Sequence, residues 1–258
     1  MLALTRRVTL GAALSLASAL MSPADAMAGE ALVAVAANYA GAVRAVAAEF
    51  ARETGHTIQI TTGATGKLYA QIAEGAPFAI MLSADAMTPA RIEAEGLGVA
   101  GSSFTYAVGK LSLWSSDAAL IGADPKAAIT APSTLFVAIA NPDLAPYGVA
   151  AREVMQAMGV WDTVQSKIVM GQNIGQTFSM VDTGAAQVGF VATSAVQGHG
   201  IAPRGSRYDI PQDMYTPIRQ DAVLLNPGKD NAVAVAFMAY LKSDTAKSIA
   251  RSFGYGTE

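Results

Sequence analysis

Few residues of this sequence have the types and spacing that catalysis or metal binding requires. The chain contains two histidines, His56 and His199, and no cysteine. A Ser-His-Asp triad or a zinc site would need one of these histidines, and no G-x-S-x-G or H-E-x-x-H motif accompanies them. Ser83 and Asp85 could form a nucleophile and a base, but an Asp in that place more often caps a helix. We therefore interpret the histidines as solvated surface residues and Asp85 as a cap.

The Gly66-Lys67 pair occurs in phosphate-binding loops, but the residues around it do not match that motif. Thr61 stands where the first glycine of such a loop is required. Leu68 replaces the Ser or Thr that would hold magnesium. Nucleotide binding is thus not indicated.

A different chemistry is available where helices begin. Four helices are predicted to start, each after a strand, at Asn38, Gly63–Gly66, Pro146–Tyr147 and Asn173–Gly175. The first N–H groups of a helix lack internal partners, and the helix dipole places partial positive charge there, so anions bind well. A cleft between two pairs of helix starts could therefore hold a small anion without Arg or Lys. The alternative is purely structural, because every α/β protein has such helix starts and most of them bind nothing.

The elements that must position these helix starts alternate along the chain. Continuous apolar runs such as Ala31–Ala37 and Phe78–Ser83 are typical of parallel strands buried on both faces, and helical segments separate them. This alternation predicts the α/β class with parallel sheets. We expect two α/β lobes joined by a two-strand hinge near Tyr106–Leu111 and Tyr208–Pro217. The first lobe is predicted to comprise residues 29–108 and 213–258, and the second residues 109–212, with the ligand cleft between them.

Composition narrows the class of protein further. Of 258 residues, 52% are hydrophobic and 14% charged, which is too apolar for a disordered chain. The net charge of -3, without basic runs, argues against nucleic acid as the partner. Zero cysteines exclude disulfides and thiolate chemistry.

The first 28 residues have the order of a secretory signal peptide. Arg6 and Arg7 precede an apolar run of about a dozen residues, which is shorter than the roughly 20 needed to span a bilayer. Small-x-small sites follow, so that cleavage is expected after Ala26 or Ala28. An uncleaved anchor is the alternative, and the sequence does not distinguish general secretion from twin-arginine export. The predicted location is the periplasm.

Several segments, in order, resemble the periplasmic molybdate-binding proteins of ABC importers. The resemblance spans essentially the whole chain after the signal peptide and implies a type II periplasmic binding protein fold. The segments that carry it are Ala36–Asn38, Gly63–Ile72, Gly75–Asp85, Asn141–Gly148, Val160–Asp162, Gln172–Ile174, Val188–Val191, Ala236–Leu241 and Phe253–Tyr255.

The resemblance also implies a ligand set for the tetrahedral oxyanion. Its positions fall on Asn38 and Thr65 in the first lobe and on the backbone N–H groups of Tyr147 and Ile174 in the second. Molybdenum would be bound only as the oxyanion through these four residues, and no cofactor is implied. Two positions depart from the family. A tyrosine whose hydroxyl some members use is Ala192 here, and a usual Asp is Ala79, which we expect to alter support near the hinge.

The function that the resemblance implies is capture of molybdate, and of tungstate, for delivery to a membrane permease and its ATPase. We expect a monomer that is not an enzyme. Two other functions stay open: a receptor for another oxyanion such as sulfate, and a secreted hydrolase built on Ser83 and Asp85. Phosphate would call for a carboxylate acceptor, and none of the four positions carries one. The sequence does not rank molybdate against tungstate.

Overall fold

Two five-stranded sheets organise the protein. The structure, a computed structural model, describes residues 28–197 and 204–257 together with Gly200 and Ala202. The predicted signal peptide, apart from Ala28, and His199 therefore lie outside the described residues. The strands are β1 (Glu30–Ala36), β2 (Thr57–Gly63), β3 (Ile80–Leu82), β4 (Phe104–Gly109), β5 (Leu111–Ser115), β6 (Val137–Ala140), β7 (Ile168–Gly171), β8 (Val188–Ala192), β9 (Ser206–Asp209) and β10 (Ile218–Leu224).

The two sheets share one plan. The first has the order β2-β1-β3-β10-β4, with β1, β2 and β3 parallel and β10 antiparallel to both of its neighbours. The second has the order β7-β6-β8-β5-β9, with β6, β7 and β8 parallel and β5 antiparallel. Each sheet thus has one antiparallel strand supplied by the chain as it passes between the sheets. This confirms the predicted α/β fold of type II periplasmic binding proteins.

Helices cover the sheets and complete two lobes. The helices are α1 (Ala40–Thr54), α2 (Thr65–Ala73), α3 (Met87–Ala94), α4 (Pro125–Thr130), α5 (Pro146–Ala157), α6 (Trp161–Val164), α7 (Ile174–Asp182), α8 (Thr193–Gln197), α9 (Ala232–Tyr240) and α10 (Asp244–Ser252). We call the first sheet with α1–α3, α9 and α10 the first lobe, and the second sheet with α4–α8 the second lobe; each has its own buried apolar core. Within the described part of the chain, no helix is long and apolar enough to cross a membrane.

The chain passes between the lobes twice. The first passage is Lys110, between the end of β4 and the start of β5, and the second is residues 210–217, between β9 and β10. Both fall where the sequence predicted the hinge strands. Gly109 is required at the first passage, because a Cβ there would overlap the Tyr147 hydroxyl and lie 2.5 Å from Gln220 Nε2.

The second helix and the last strand are placed as follows. α2 begins at Thr65, within the predicted start at Gly63–Gly66. Polar residues interrupt the apolar run of β10, but the strand pairs with β4 from Ile218 onward, with one irregularity between Gln220 and Asp221.

Candidate functional site

All four sequence-predicted positions line one cavity between the lobes. Asn38, Thr65, Tyr147 and Ile174 surround a cavity of about 10 Å³, which is far below the 300–1,000 Å³ typical of sites for organic ligands. The cavity lies at the carboxyl ends of β1, β2, β6 and β7, where open α/β sheets place their ligands. Its lining residues are Ala36, Ala37, Asn38, Gly63, Ala64, Thr65, Ala84, Ala145, Pro146, Tyr147, Asn173 and Ile174.

Asn38 does not cap the helix that is predicted to start at it. It lies inside a 3-10 turn, Ala37–Tyr39, and makes no side-chain cap to α1. Its amide Nδ2 instead donates to Gln220 Oε1 at 2.8 Å and to the Tyr255 hydroxyl at 3.2 Å. Among the described residues its Oδ1 has no hydrogen-bond partner, although the atom is buried. A buried acceptor without a partner needs an explanation, because leaving it unpaired is unfavourable.

Thr65 is arranged to donate a hydrogen bond. It is 3% exposed and is the first residue of α2, so its N–H is one of the unpaired groups of the helix start. Its hydroxyl oxygen accepts from the Ala84 N–H at 3.1 Å. Because that bond fixes the oxygen as an acceptor, the hydroxyl proton is left to donate to an oxygen in the cavity.

The second lobe contributes backbone groups. Pro146 is the first residue of α5 and has no N–H, so the first N–H of this helix belongs to Tyr147. The Tyr147 hydroxyl is engaged elsewhere, since it accepts from Gln220 Nε2 at 3.2 Å. Asn173 caps α7, with its Oδ1 accepting from the Gln176 N–H at 2.9 Å, which leaves the N–H of Ile174 at the helix start.

The cavity wall is neutral. No Lys, Arg, His, Asp or Glu occurs among the described residues that line it. Lys67, the cation nearest in sequence to a predicted position, is exposed and lies outside the lining. Positive potential in the cavity therefore comes from helix N-termini, each equivalent to about half a unit charge, rather than from a side-chain cation. In the described part of the chain, no cluster of His, Cys, Asp or Glu could hold a metal ion.

A buried polar network lies against the cavity, and sequence reasoning missed it. Gln220 on β10 is fully buried and bonds to Asn38, Tyr147 and Tyr106, while Tyr255 bonds to Asn38. Burial raises the pKa of Tyr255 to about 12 and holds the pKa values of Tyr106 and Tyr147 well above their usual range, so all three hydroxyls stay protonated. The available signal was the alternation of Gln220 with Ile218 and Ala222, which places a polar side chain on a buried face.

Hydrogen bonds close the lobes over the cavity. The Gly66 N–H in the first lobe donates to the Leu144 carbonyl oxygen in the second at 3.0 Å. Across the same gap, the Ser194 and Tyr255 hydroxyls lie 2.9 Å apart. Within the first lobe, the Tyr255 hydroxyl also donates to the Asn38 carbonyl oxygen at 2.6 Å. The described cleft is therefore closed.

The alternative chemical candidates lie outside the cavity. Asp85 accepts from the Thr88 N–H at 2.7 Å in the first turn of α3, which is the capping role predicted for it, and Ser83 Oγ donates to the same carboxylate. His56 is half-buried rather than fully solvated, and its Nδ1 accepts from the Gly29 N–H at 3.2 Å. Neither Ser83 nor His56 lines the cavity, so the described residues form no hydrolytic site there.

The two departures from the family pattern also have places in the fold. Ala192 ends β8, is buried, and is not among the lining residues. Ala79 donates to the Leu32 carbonyl oxygen and accepts from the Leu225 N–H, at the end of β3 away from the cavity. The expectation that Ala79 alters support near the hinge was wrong, because β10 meets the hinge at Ile218, at its opposite end.

The fold, with its cleft and its donor-lined cavity, defines a solute-binding protein. Residues 31–256 match the family of bacterial extracellular solute-binding proteins. The chain belongs to this family, whose members bind solutes and are not enzymes.

Individual relatives are similar over most of the chain. The molybdate-binding protein ModA of Rhodobacter capsulatus is 48% identical over 246 residues, which is 95% of each chain. ModA of Azotobacter vinelandii is 45% identical over 233 residues, covering 90% of this chain and 92% of that one. The solved structure of the Azotobacter vinelandii periplasmic molybdate-binding protein superposes with a TM-score of 0.85 at 35% identity, covering 88% of this chain and 99% of that chain.

Proposed function

We propose that this protein captures molybdate in the cavity between its lobes. The observation that carries the proposal is the convergence of four helix starts on one small, uncharged cavity. Asn38 and Thr65 in the first lobe, and the Tyr147 and Ile174 N–H groups in the second, are the proposed ligands. The names of the relatives support molybdate as the solute.

A neutral, donor-rich cavity suits a tetrahedral dianion. Stripping a dianion of water is very unfavourable unless many hydrogen bonds replace the hydration shell. Hydrogen bonds to charged groups are worth about 1.5–3 kcal/mol each, so several donors together can offset much of that desolvation. The donors come from both lobes, so the anion itself would draw them together.

The donor set also selects by protonation state. Molybdate and tungstate carry no proton at neutral pH, whereas hydrogen phosphate carries one that would need an acceptor. No carboxylate lines the described part of the cavity, so phosphate would leave its proton unsatisfied. Sulfate satisfies the same donors and is discriminated only by its smaller size. Tungstate, close to molybdate in size, is proposed as a second ligand.

We further propose how the protein is used. The lobes comprise residues 29–108 with 213–258 and residues 109–212, and they open and close about the two passages. The monomer acts in the periplasm after removal of residues 1–28, and it delivers the anion to the permease of an ABC importer driven by its ATPase. The family of extracellular solute-binding proteins supports this placement.

Calorimetric titration of the purified protein, freed of bound anions, tests the proposal. We expect the heats to show tight, stoichiometric binding of molybdate and tungstate, weaker binding of sulfate and no binding of phosphate. Tighter binding of sulfate than of molybdate would establish the sulfate-receptor alternative. Heats with phosphate alone would contradict the proposed donor-only site.

A further inference from the structure

The hydrogen bonds that the Asn38 amide makes in this structure leave its donor occupied and its acceptor free, which is the opposite of what an anion requires. Asn38 lines the cavity and is 9% exposed. Its donor, Nδ2, is turned to Gln220 Oε1 and the Tyr255 hydroxyl, while its acceptor, Oδ1, has no partner among the described residues. An oxyanion offers only acceptors, so an Oδ1 presented to it would repel it rather than bind it.

Gln220 determines which end of the Asn38 amide is free. Its Oε1 accepts from Asn38 Nδ2 at 2.8 Å and from the Tyr106 hydroxyl at 3.1 Å, and its Nε2 donates to the Tyr147 hydroxyl at 3.2 Å. Gln220 is fully buried on β10, the strand reached from the second passage between the lobes. Reversing Asn38 alone would set Oδ1 against Oε1, so the two amides must reverse together.

We propose that, in the anion-bound protein, the amides of Asn38 and Gln220 are both turned by half a turn, and that Gln220 is the positioning residue that holds Asn38 Nδ2 towards the anion. The inference rests on the proposed function and adds a residue outside the cavity lining to the recognition of the anion.

The reversed arrangement keeps every hydrogen bond of Gln220 and loses one bond of Asn38. The Asn38 amide no longer donates to the Tyr255 hydroxyl, whose own proton goes to the Asn38 carbonyl oxygen at 2.6 Å. Gln220 Nε2 then donates to Asn38 Oδ1 and to the Tyr106 hydroxyl, which itself donates to the Ser83 carbonyl oxygen at 2.9 Å. Gln220 Oε1 accepts from the Tyr147 hydroxyl, since a hydroxyl both donates and accepts. A half-turn of an amide exchanges its oxygen and nitrogen without moving its neighbours. In the reversed arrangement Asn38 Nδ2 occupies the position that the unpartnered Oδ1 holds in this structure, and it can donate to the anion.

Nuclear Overhauser contacts in the wild-type protein saturated with molybdate report the orientation directly. In a ¹⁵N-labelled, deuterated sample with protonated tyrosines, we expect the Gln220 side-chain NH₂ to contact the ring protons near the Tyr106 hydroxyl. Contacts to the Tyr147 ring instead would show the unreversed orientation and overturn the proposal. This measurement needs no substitution, so it holds even if a variant fails to fold.

Gln220→Met gives a second test, because the proposal and its opposite predict different directions of change in molybdate affinity. Under the proposal Met removes the donor to Asn38 Oδ1, so molybdate affinity falls about two- to tenfold. Without the reversal, Gln220 holds Nδ2 away from the anion, and Met would leave affinity unchanged or raise it, which would overturn the proposal. Gln59→Met, at an exposed position of β2, is the matched control and should bind like wild type. Failure of the wild-type protein to bind molybdate would contradict the proposed function itself, and this inference with it.

Discussion

Removal of the Thr65 hydroxyl should weaken molybdate binding strongly. The hydroxyl oxygen is held by the Ala84 N–H at 3.1 Å, so its proton is fixed towards the cavity, and at 3% exposure no bulk water replaces it. A hydrogen bond to a charged group is worth about 1.5–3 kcal/mol, so Thr65→Ala should lower affinity about 10- to 150-fold. Thr65→Ser keeps the hydroxyl and should bind within a few-fold of wild type.

The same substitution has a separate effect on folding. Thr65→Ala leaves the buried Ala84 N–H without its partner, which should lower the free energy of unfolding by about 1–3 kcal/mol. Titrations should therefore be run well below the melting temperature of each variant, by calorimetry. Thr62→Ala, at an exposed position of β2, is the control for loss of a threonine hydroxyl. Equal affinity of Thr65→Ala and wild type would refute the assignment of Thr65 as a ligand.

Three further outcomes follow from the closed, uncharged cavity. Lys67→Met should weaken molybdate binding less than about fivefold at physiological salt, because an exposed charge is screened. Asn38→Ala should lower molybdate affinity more than about tenfold. A hundredfold loss of affinity for Lys67→Met would mean that the site depends on a cation. Small-angle scattering should show a smaller radius of gyration with molybdate, since half of the donors lie in each lobe, and an unchanged radius would contradict closure. The Tyr255 pKa is raised by burial to about 12, so the stability that this group contributes is complete below about pH 10 and is lost as pH rises towards 12; Tyr255→Phe should flatten that part of the unfolding profile measured by circular dichroism, and an unaltered profile would count against it.

The parallel parts of both lobes were predictable because the local sequence of each strand, and of the helix start after it, indicates the element. β1 and β6 are apolar runs buried on both faces. The helices after β2, β6 and β7 begin at or just after a Gly, Pro or Asn: α2 follows Gly63, α5 begins at Pro146 and α7 follows Asn173. Since ligands in such folds sit beyond the carboxyl ends of strands, the positions Asn38, Thr65, Tyr147 and Ile174 could be expected to converge. In the structure they line one cavity.

The polar network could not be predicted in the same way, because its members are far apart in sequence. Asn38 and Gln220 are separated by 182 residues, and Asn38 and Tyr255 by 217. Whether Gln220 faces a core or solvent depends on the register of β10 against β4, which includes an irregularity at Gln220/Asp221. The partners of the Asn38 side chain were not predictable for the same reason: they lie on β10 and in the C-terminal segment, far from Asn38 in sequence.

The position of the molybdenum atom tests the central claim most directly. Crystals grown with molybdate should give one strong anomalous peak at the molybdenum K edge, inside the cavity between the lobes. The account predicts anion oxygens within hydrogen-bond distance of the Thr65 hydroxyl and of the Tyr147 and Ile174 N–H groups, with no Lys or Arg nitrogen in contact. A peak against a lysine or arginine, or outside the cavity, would contradict it.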